Sequence, residues 1–400
     1  MRTIRDIDVQ SKTVFLRTEF NVVLDENVAS DPRLRSSMPT ISWLCENGAR
    51  VLICSHLGRP WGTRDPSMTL QQLMKPLSNL LGRPLSFVGD CIGPERLRLQ
   101  RALRDGEILL LENVRYYAEE NANDPGFSKR LGEEIEVYVN DAFGNCHRPH
   151  ASMIGVPQYV PEKVAGILLD HELKVINTFL DETEHPAVAI IGGAKVAGKD
   201  GKIHVIRNLL RIMDVVCLVG KLAFFFLQAK NIPVGSTLTA DKRQIDAPDS
   251  DLPQALADCR SVLSMAEELG KQVILPVDCK TNAMKDIAIE RDIFPNDAVA
   301  LDIGPRTVAA ISEAVETAKS VVWNGPAGFV EQEEYRTGTI SIARAVAKSN
   351  ARCLIGGGDT VAALSDFGVS SENIHICTGG GAMLTLLMGR ELPAIRALLE

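Results

Sequence analysis

The 400-residue chain is poor in aromatic residues, at 5%, and its nine cysteines include no C-x-x-C pair. Scattered cysteines in odd number exclude a disulfide framework or a structural zinc site and point to a reducing compartment. Long apolar runs are also missing. The most apolar stretch, residues 215–227, is shorter than the roughly 18–20 residues that span a bilayer and contains Lys221. The opening MRTIRDIDVQSK has no apolar core of signal-peptide type. Positive charge is not in excess either: 43 basic against 51 acidic side chains give −8, which excludes a general affinity for nucleic acid or an anionic membrane. No internal repeat or low-complexity tract occurs. What remains is an ordinary globular composition, 45% apolar and 24% charged, long enough for two or three domains. The expectation is a cytoplasmic protein.

Short aliphatic runs alternate with stretches of helical periodicity, the pattern of parallel sheets covered on both faces by helices. Strand-like runs in the first half are 13–17, 50–55, 85–89, 107–114 and 136–143; in the second half they are 186–193, 215–220, 272–278, 299–304, 320–325, 351–358 and 374–381. Residues 306–320 and 339–349 read as helices, and 170–180, free of glycine, as a stiff connector. The fold class is therefore α/β, with two doubly wound, Rossmann-like parallel-sheet domains, 1–170 and from 171 onward, joined by a helix. Ligands of such sheets sit outside the carboxyl ends of the strands. Those ends carry single arginines or histidines in the first half and glycine clusters in the second.

Residues 1–170 hold 16 arginines but 4 lysines. Arg17, Arg33, Arg59, Arg115 and Arg148 fall at or just beyond strand-like runs, with His56, His147 and His150 among them. A guanidinium is a planar fork that matches carboxylate and phosphate oxygens, whereas an ammonium is closer to a point charge. Arginines gathered on one sheet edge would hold a small polyanion. Pairing with neighbouring acids accounts for any single one of them, but not for their shared placement. His147 and His150, separated by Pro149, define no helical face for a metal. Asn140 and Asp141 shape a turn or reach a ligand hydroxyl.

In the second half, residues 193–199 (GAKVAGK) fit the first seven positions of a P-loop, but Asp200 stands where the metal-binding hydroxyl belongs. Gly193 and Lys195 can still serve a phosphate site of another design. Gly356, Gly357 and Gly358 close a strand and open a helix at Asp359 and Thr360, so free N–H groups face an anion there and Mg²⁺ would bridge the carboxylate to it. Residues 377–381 repeat the arrangement around Gly380. Tight helix–strand packing explains either run taken singly. No dinucleotide-binding glycine fingerprint is present, against a dehydrogenase, and no nucleophile–base pair stands at a suggestive spacing. Phosphoryl transfer needs little beyond positioning and charge neutralisation, so the residues read as a two-domain kinase acting on a small anion.

Together the motifs resemble the phosphoglycerate kinase family from about residue 14 to residue 395. They are residues 17–23 (RTEFNVV), 55–60 (SHLGRP), 111–115 (LENVR), 140–152 (NDAFGNCHRPHAS), 192–196 (GGAKV), 275–278 (LPVD), 302–305 (DIGP), 323–331 (WNGPAGFVE), 356–360 (GGGDT) and 378–382 (TGGGA). The resemblance implies reversible transfer between 1,3-bisphosphoglycerate and MgADP, giving 3-phosphoglycerate and MgATP, with hinge-bending closure. Glu19, Asn21, Arg33, His56, Arg59, Arg115 and Arg148 would hold the phosphoglycerate. Arg33, Lys195 and a second lysine would neutralise the phosphoryl group in flight, with Gly357 and Gly380 as N–H donors. Gly193, Gly220, Asn324, Glu331, Gly356, Gly358 and Thr360 would lie on the nucleotide, and Asp359 on the metal. The C-terminal segment 384–400 would return to the arginine-rich domain, leaving 171–383 as the nucleotide domain of a monomer. Glu19 departs from the family's aspartate, Val23 from a proline, and Val219 and Lys221 from glycines. Spacing selects Lys199 as the second lysine, whereas the following Ile203 and helix select Lys202; both stand. A divergent kinase acting on another carboxylate or nucleotide, or a non-catalytic binding paralogue, remain as alternatives.

Overall fold

A computed structural model of the chain describes residues 1–25, 27–196, 198, 201–239, 252–289, 291–366 and 372–400, with the backbone alone at 359, 363, 365 and 366. It divides into two units, Met1–Lys174 with Glu391–Glu400, and Val175–Arg390. The first unit contains β1 (Thr13–Arg17), β2 (Arg50–Cys54), β3 (Ser86–Val88), β4 (Ile108–Leu111), β5 (Val137–Asn140) and β6 (Glu162–Ala165). The second contains β7 (Ala187–Ile191), β8 (Val215–Leu218), β9 (Gln272–Ile274), β10 (Asp278–Thr281), β11 (Asp286–Ala288), β12 (Ala300–Ile303), β13 (Ser320–Asn324), β14 (Arg352–Gly356) and β15 (Ile374–Ile376).

Every residue of β1, β4, β5, β7 and β13 is buried, because helices cover both faces of the sheets they form. The first sheet runs β3-β4-β2-β1-β5-β6 with all pairs parallel. One face packs Val14, Leu16, Val51, Ile53, Leu110 and Val139 against Leu34, Ile41 and Leu44 of the helix Pro32–Glu46. On the other, Phe15 stacks on Tyr138 with ring centroids 6.0 Å apart. The second sheet, also parallel, runs β15-β14-β13-β7-β8-β9. Read from β9, that is the 3-2-1-4-5-6 order of dinucleotide folds, whose switch point lies between β7 and β13.

Two expectations need correction. The runs at 272–278 and 299–304 do not both join the parallel sheet: β9 ends at Ile274, and Asp278 opens β10, which pairs antiparallel with β11 and β12 in a separate three-stranded sheet. The parallel edge strand β6 is missing from the strand-like runs. Its first two residues, Glu162 and Lys163, are only half-buried at the sheet edge, so the strand lacks the apolar signature.

The connecting helix runs from Ile167 to Asp181 and so starts in the first unit and ends in the second. Asp141, buried at the end of β5, accepts from Leu168 N–H at 2.9 Å and Leu169 N–H at 3.2 Å, satisfying donors that the first helical turn leaves unpaired. Burial pushes its carboxyl up to about 7. Asp141 thus anchors a helix. The last helix, Pro393–Leu399, docks on the first unit where Ala394 N–H donates to Cys146 O at 3.2 Å. All nine cysteines are free and buried. Among the described residues no helix is long and apolar enough to cross a membrane.

At the end of β7, a Cβ on Gly192 would strike Pro326 O, Gly325 O and Val219. Two of these obstacles are backbone and cannot swing aside. Gly192→Ala is therefore expected to cost about 1–3 kcal/mol of stability, read as a lower urea midpoint; an unchanged midpoint would show that the strand ends yield without cost.

Candidate functional site

The carboxyl ends of β1, β2 and β5 gather the first group of side chains. Arg17, the last residue of β1, is fully buried and points inward. Its Nε donates to Ser152 Oγ at 2.8 Å, one Nη donates to Thr18 O, and the other lies 3.3 Å from His56 Nδ1. Ser152 is held in turn by Glu120, whose carboxylate accepts from the Ser152 hydroxyl at 2.6 Å and its N–H at 2.8 Å. A guanidinium only donates, so His56 Nδ1 is the acceptor and the imidazole proton resides on Nε2.

Around this support stand Arg33, Arg115 and Arg148. Arg33 follows Asp31, whose side chain caps the helix Pro32–Glu46 by accepting from Arg33 N–H at 2.8 Å, and its guanidinium donates to Asn21 O. Asn21 Oδ1 accepts from Gly58 N–H at 2.8 Å. Arg115 donates to Gly58 O at 3.0 Å and lies 3.4 Å from Asn145 Oδ1. Arg59, next to Gly58, is exposed. Glu19 lies against Gly144, where a Cβ would collide with its carboxylate. Burial raises the Glu19 carboxyl, opposed by Arg33, Arg17, Arg115 and Arg148 in that order, so all four guanidinium groups lie within electrostatic reach of it.

Positive charge exceeds its local compensation. Burial, then the neighbouring Arg17 and Arg148, push Arg115 down to about 10. Burial and the charges of Arg115 and Arg17 hold His56 well below the ordinary histidine range and bring His150 down to about 3. An anion entering here relieves the repulsion. Of the residues expected on the substrate, Glu19, Asn21, Arg33, His56, Arg115 and Arg148 are brought together, and Arg59 sits at the margin. Arg17, Glu120 and Ser152 were not foreseen as its support; no motif marks a serine that holds an arginine.

The second group forms at the switch point of the other sheet. Lys202 opens the helix Lys202–Ile212, and its Nζ donates to Gly192 O at 2.5 Å and Asn324 O at 3.2 Å, the carbonyls that end β7 and β13. Lys195 is exposed on the loop after Gly193; Lys199 lies outside the described residues, and Asp359 is described in backbone only. Gly357 follows β14 with φ +104°, a conformation that favours glycine, and the helix Gly358–Asp366 starts beside it. A Cβ on Gly380, at the start of the helix Gly380–Leu387, would come within 3.0 Å of Gly357 Cα. The two glycine-rich helix N-termini therefore meet, and N–H groups at the start of a helix are suited to an anion. Asn324 Nδ2 donates to Gly356 O at 3.0 Å. Thr360 is buried and its hydroxyl accepts from Gly325 N–H at 2.9 Å, so it braces the turn from within.

Beside these termini lies a cavity of about 310 Å³, lined by Gly193, Ala194, Gly220, Lys221, Phe224, Thr237, residues 299–302, residues 326–329 and Glu331. Gly220 has φ +62° and a Cβ there would sit 2.8 Å from Gly193 N, so the loops close on one another only through glycine. Lys221 lines the cavity, and Val219, on the other side of Gly220 in sequence, is fully buried. Among the described residues no group of three or more His, Cys, Asp or Glu side chains could hold a metal. A metal carried by nucleotide phosphates and one carboxylate needs no such cluster.

Fold and sites thus define a phosphate-handling α/β protein of the kinase type, with an arginine-lined strand edge in one unit and a glycine-lined one in the other. The chain matches the family model described as phosphoglycerate kinase over residues 4–390. It is 42% identical over 407 residues to the phosphoglycerate kinase of Chlorobium chlorochromatii, covering 99% of both chains. It is 42% identical over 405 residues to that of Moorella thermoacetica, covering 100% of this chain and 99% of the other. Among solved structures it resembles the phosphoglycerate kinases of Pyrococcus horikoshii (TM-score 0.86, 30% identity, coverage 100% and 98%) and Coxiella burnetii (TM-score 0.82, 32% identity, coverage 99% and 98%). The chain belongs to the phosphoglycerate kinase family.

A histidine whose pKa is depressed by folding stays neutral in the fold while the unfolded chain takes up a proton near pH 6.5, so it withdraws stability as pH falls below about 6.5. Without ligand, neither His56 nor His150 is expected to titrate between about pH 7.5 and 5.5 in an NMR series. A midpoint near 6.5 for either would contradict the electrostatic description.

Proposed function

We propose that the arginine-lined edge of the first unit binds 3-phosphoglycerate or 1,3-bisphosphoglycerate and that the glycine-lined edge and cavity of the second bind ATP or ADP. The reaction is that of the family, the glycolytic phosphoryl transfer to and from a carboxyl group. The observation that carries the substrate side is the convergence of Arg17, Arg33, Arg115 and Arg148 on one carboxylate, Glu19, with two histidines held neutral beside them.

In this reading Arg115, Arg148 and Arg59 grip the phosphate and carboxylate of the substrate with planar forks. His56, with Nδ1 engaged by Arg17, offers Nε2–H as a neutral donor, and Asn21 and Glu19 meet the hydroxyl side. Arg33 compensates charge that grows on the phosphoryl oxygens during transfer, which is where a fixed cation contributes most. On the nucleotide side, N–H groups around Gly357, Gly358 and Gly380 hold the phosphates. Lys195 and Lys202 add positive charge, and the contact of Lys202 with Gly192 O and Asn324 O supports it as the second phosphate lysine. The adenosine occupies the cavity, with Glu331 at its exposed end. Mg²⁺, when bound with the nucleotide, neutralises phosphate charge, and Asp359 at the helix start would hold it. A cytoplasmic enzyme fits the nine free cysteines.

A coupled assay with 3-phosphoglycerate and MgATP, run beside glycerate and other carboxylates, tests the reading. Turnover is expected with 3-phosphoglycerate, and a folded protein that turns over no acceptor would sink it. Arg33→Ala should lower kcat about 10²–10³-fold with little change in nucleotide affinity; an unchanged kcat removes Arg33 from the chemistry. Lys202→Ala should lower kcat far more than Lys199→Ala, and equal small effects would show that neither lysine acts.

A further inference from the structure

Asp302 is a buried carboxylate among the residues lining the cavity, on β12 of the small antiparallel sheet. One of its oxygens accepts from Ile303 N–H at 2.9 Å and the other from Gly338 N–H at 2.8 Å. Gly338 lies in the first turn of the helix Thr337–Lys348, where an N–H has no partner within the helix, so Asp302 supplies the missing acceptor. The next residue of that turn, Thr339, accepts through its hydroxyl from Ala327 N–H at 3.0 Å and Gly328 N–H at 3.4 Å. Ala327 and Gly328 are cavity wall. A Cβ on either Gly328 or Gly338 would collide with the Asp302 carboxylate, so both backbones press directly on it.

We propose that Asp302 is a positioning residue for the nucleotide: through the first turn of the helix Thr337–Lys348 and the Thr339 hydroxyl, its carboxylate holds the Ala327–Gly328 wall of the cavity. This rests on the cavity being the nucleotide site. The wall matters to binding because Ala327 O also accepts from Gly220 N–H at 3.1 Å and Phe329 N–H donates to Leu301 O at 2.7 Å, so a displaced wall opens the cavity on two sides. Burial raises the Asp302 carboxyl to about 6, opposed by the N–H groups of Gly338 and Ile303 and by Lys280, its register partner on β10. Charged groups on the neighbouring elements are Lys221 and Glu331 in the cavity lining and Arg336 at the start of the helix Thr337–Lys348. A protonated carboxyl has one acceptor fewer, so the wall loosens as pH falls through about 6.

The test measures KM for ATP and for 3-phosphoglycerate, with kcat, in Asp302→Asn, Thr339→Val and the cavity-filling Leu301→Trp. Asp302→Asn and Thr339→Val should each raise the ATP KM about tenfold, with kcat and the 3-phosphoglycerate KM within about twofold. The ATP KM of the wild type, taken as a ratio to that of Asp302→Asn at each pH so that ionisation of the nucleotide cancels, should rise between about pH 7 and 5.5. An unchanged ATP KM in both variants, or a ratio independent of pH, overturns the proposal even if melting temperature falls. Should Asp302→Asn not fold, Thr339→Val decides. Leu301→Trp separates the levels: if it raises the ATP KM and the other two do not, the positioning role fails; if it too has no effect, the cavity is not the nucleotide site.

Discussion

A buried guanidinium satisfied by neutral acceptors is the constraint from which the arginine-lined edge of this molecule follows. Arg17 is fully buried and donates to a serine hydroxyl, a backbone carbonyl and an imidazole. Leaving any of those donors unmet inside the protein would cost on the order of 1–3 kcal/mol, more for a charged group. The arrangement therefore dictates its surroundings: Glu120 must hold Ser152, and His56 must turn Nδ1 inward. Arg17 lies beneath the site without being exposed, and burial, with the charge of Arg17 adding to it, depresses His56, His150 and Arg115. The surface above is pre-set for anions while the chain as a whole carries −8.

In the proposed reading the second unit handles phosphate by a different route. Its positive field comes largely from backbone N–H groups at two helix starts that meet through Gly357 and Gly380, with Lys202 seated on the carbonyls of the switch point. Backbone donors cannot be moved by a rotamer change, and glycine is required where the chains approach most closely, as at Gly192 and Gly220. The small antiparallel sheet adds the outer wall of the cavity, and Asp302 links it to the helix Thr337–Lys348. In the proposed reading, rigid strand ends serve the phosphates and a wall held by one carboxylate serves the nucleoside.

Much of this was legible in the residues. The aliphatic runs that become β1, β2, β4, β5, β7, β8, β13 and β14 are buried on both faces, and burial of that kind leaves an unbroken apolar signature. The placement of arginines and glycines at the ends of those runs foretold two unlike strand edges. Elements at sheet margins were harder to read. β6 opens with Glu162 and Lys163, and β10 and β11 are short, polar and antiparallel, so nothing in their composition separates them from loops. Side-chain direction was not legible either: Arg17 reads like its neighbours yet points inward, Thr360 looks like a ligand yet braces a turn, and Asp141 caps a helix. Those roles depend on partners 27 to 135 residues away along the chain, beyond the reach of any local pattern.

In the proposed reading the two edges divide the substrates, arginine forks for the phosphoglycerate and glycine-rich backbone for the nucleotide. The most direct measurement is a pair of NMR titrations of the intact chain, following arginine side-chain N–H and glycine amide signals. Addition of 3-phosphoglycerate should shift Arg33, Arg115 and Arg148 and leave Gly357 and Gly380 in place, while MgADP should do the reverse. Both ligands moving the same set, or 3-phosphoglycerate moving the glycines alone, would contradict the account.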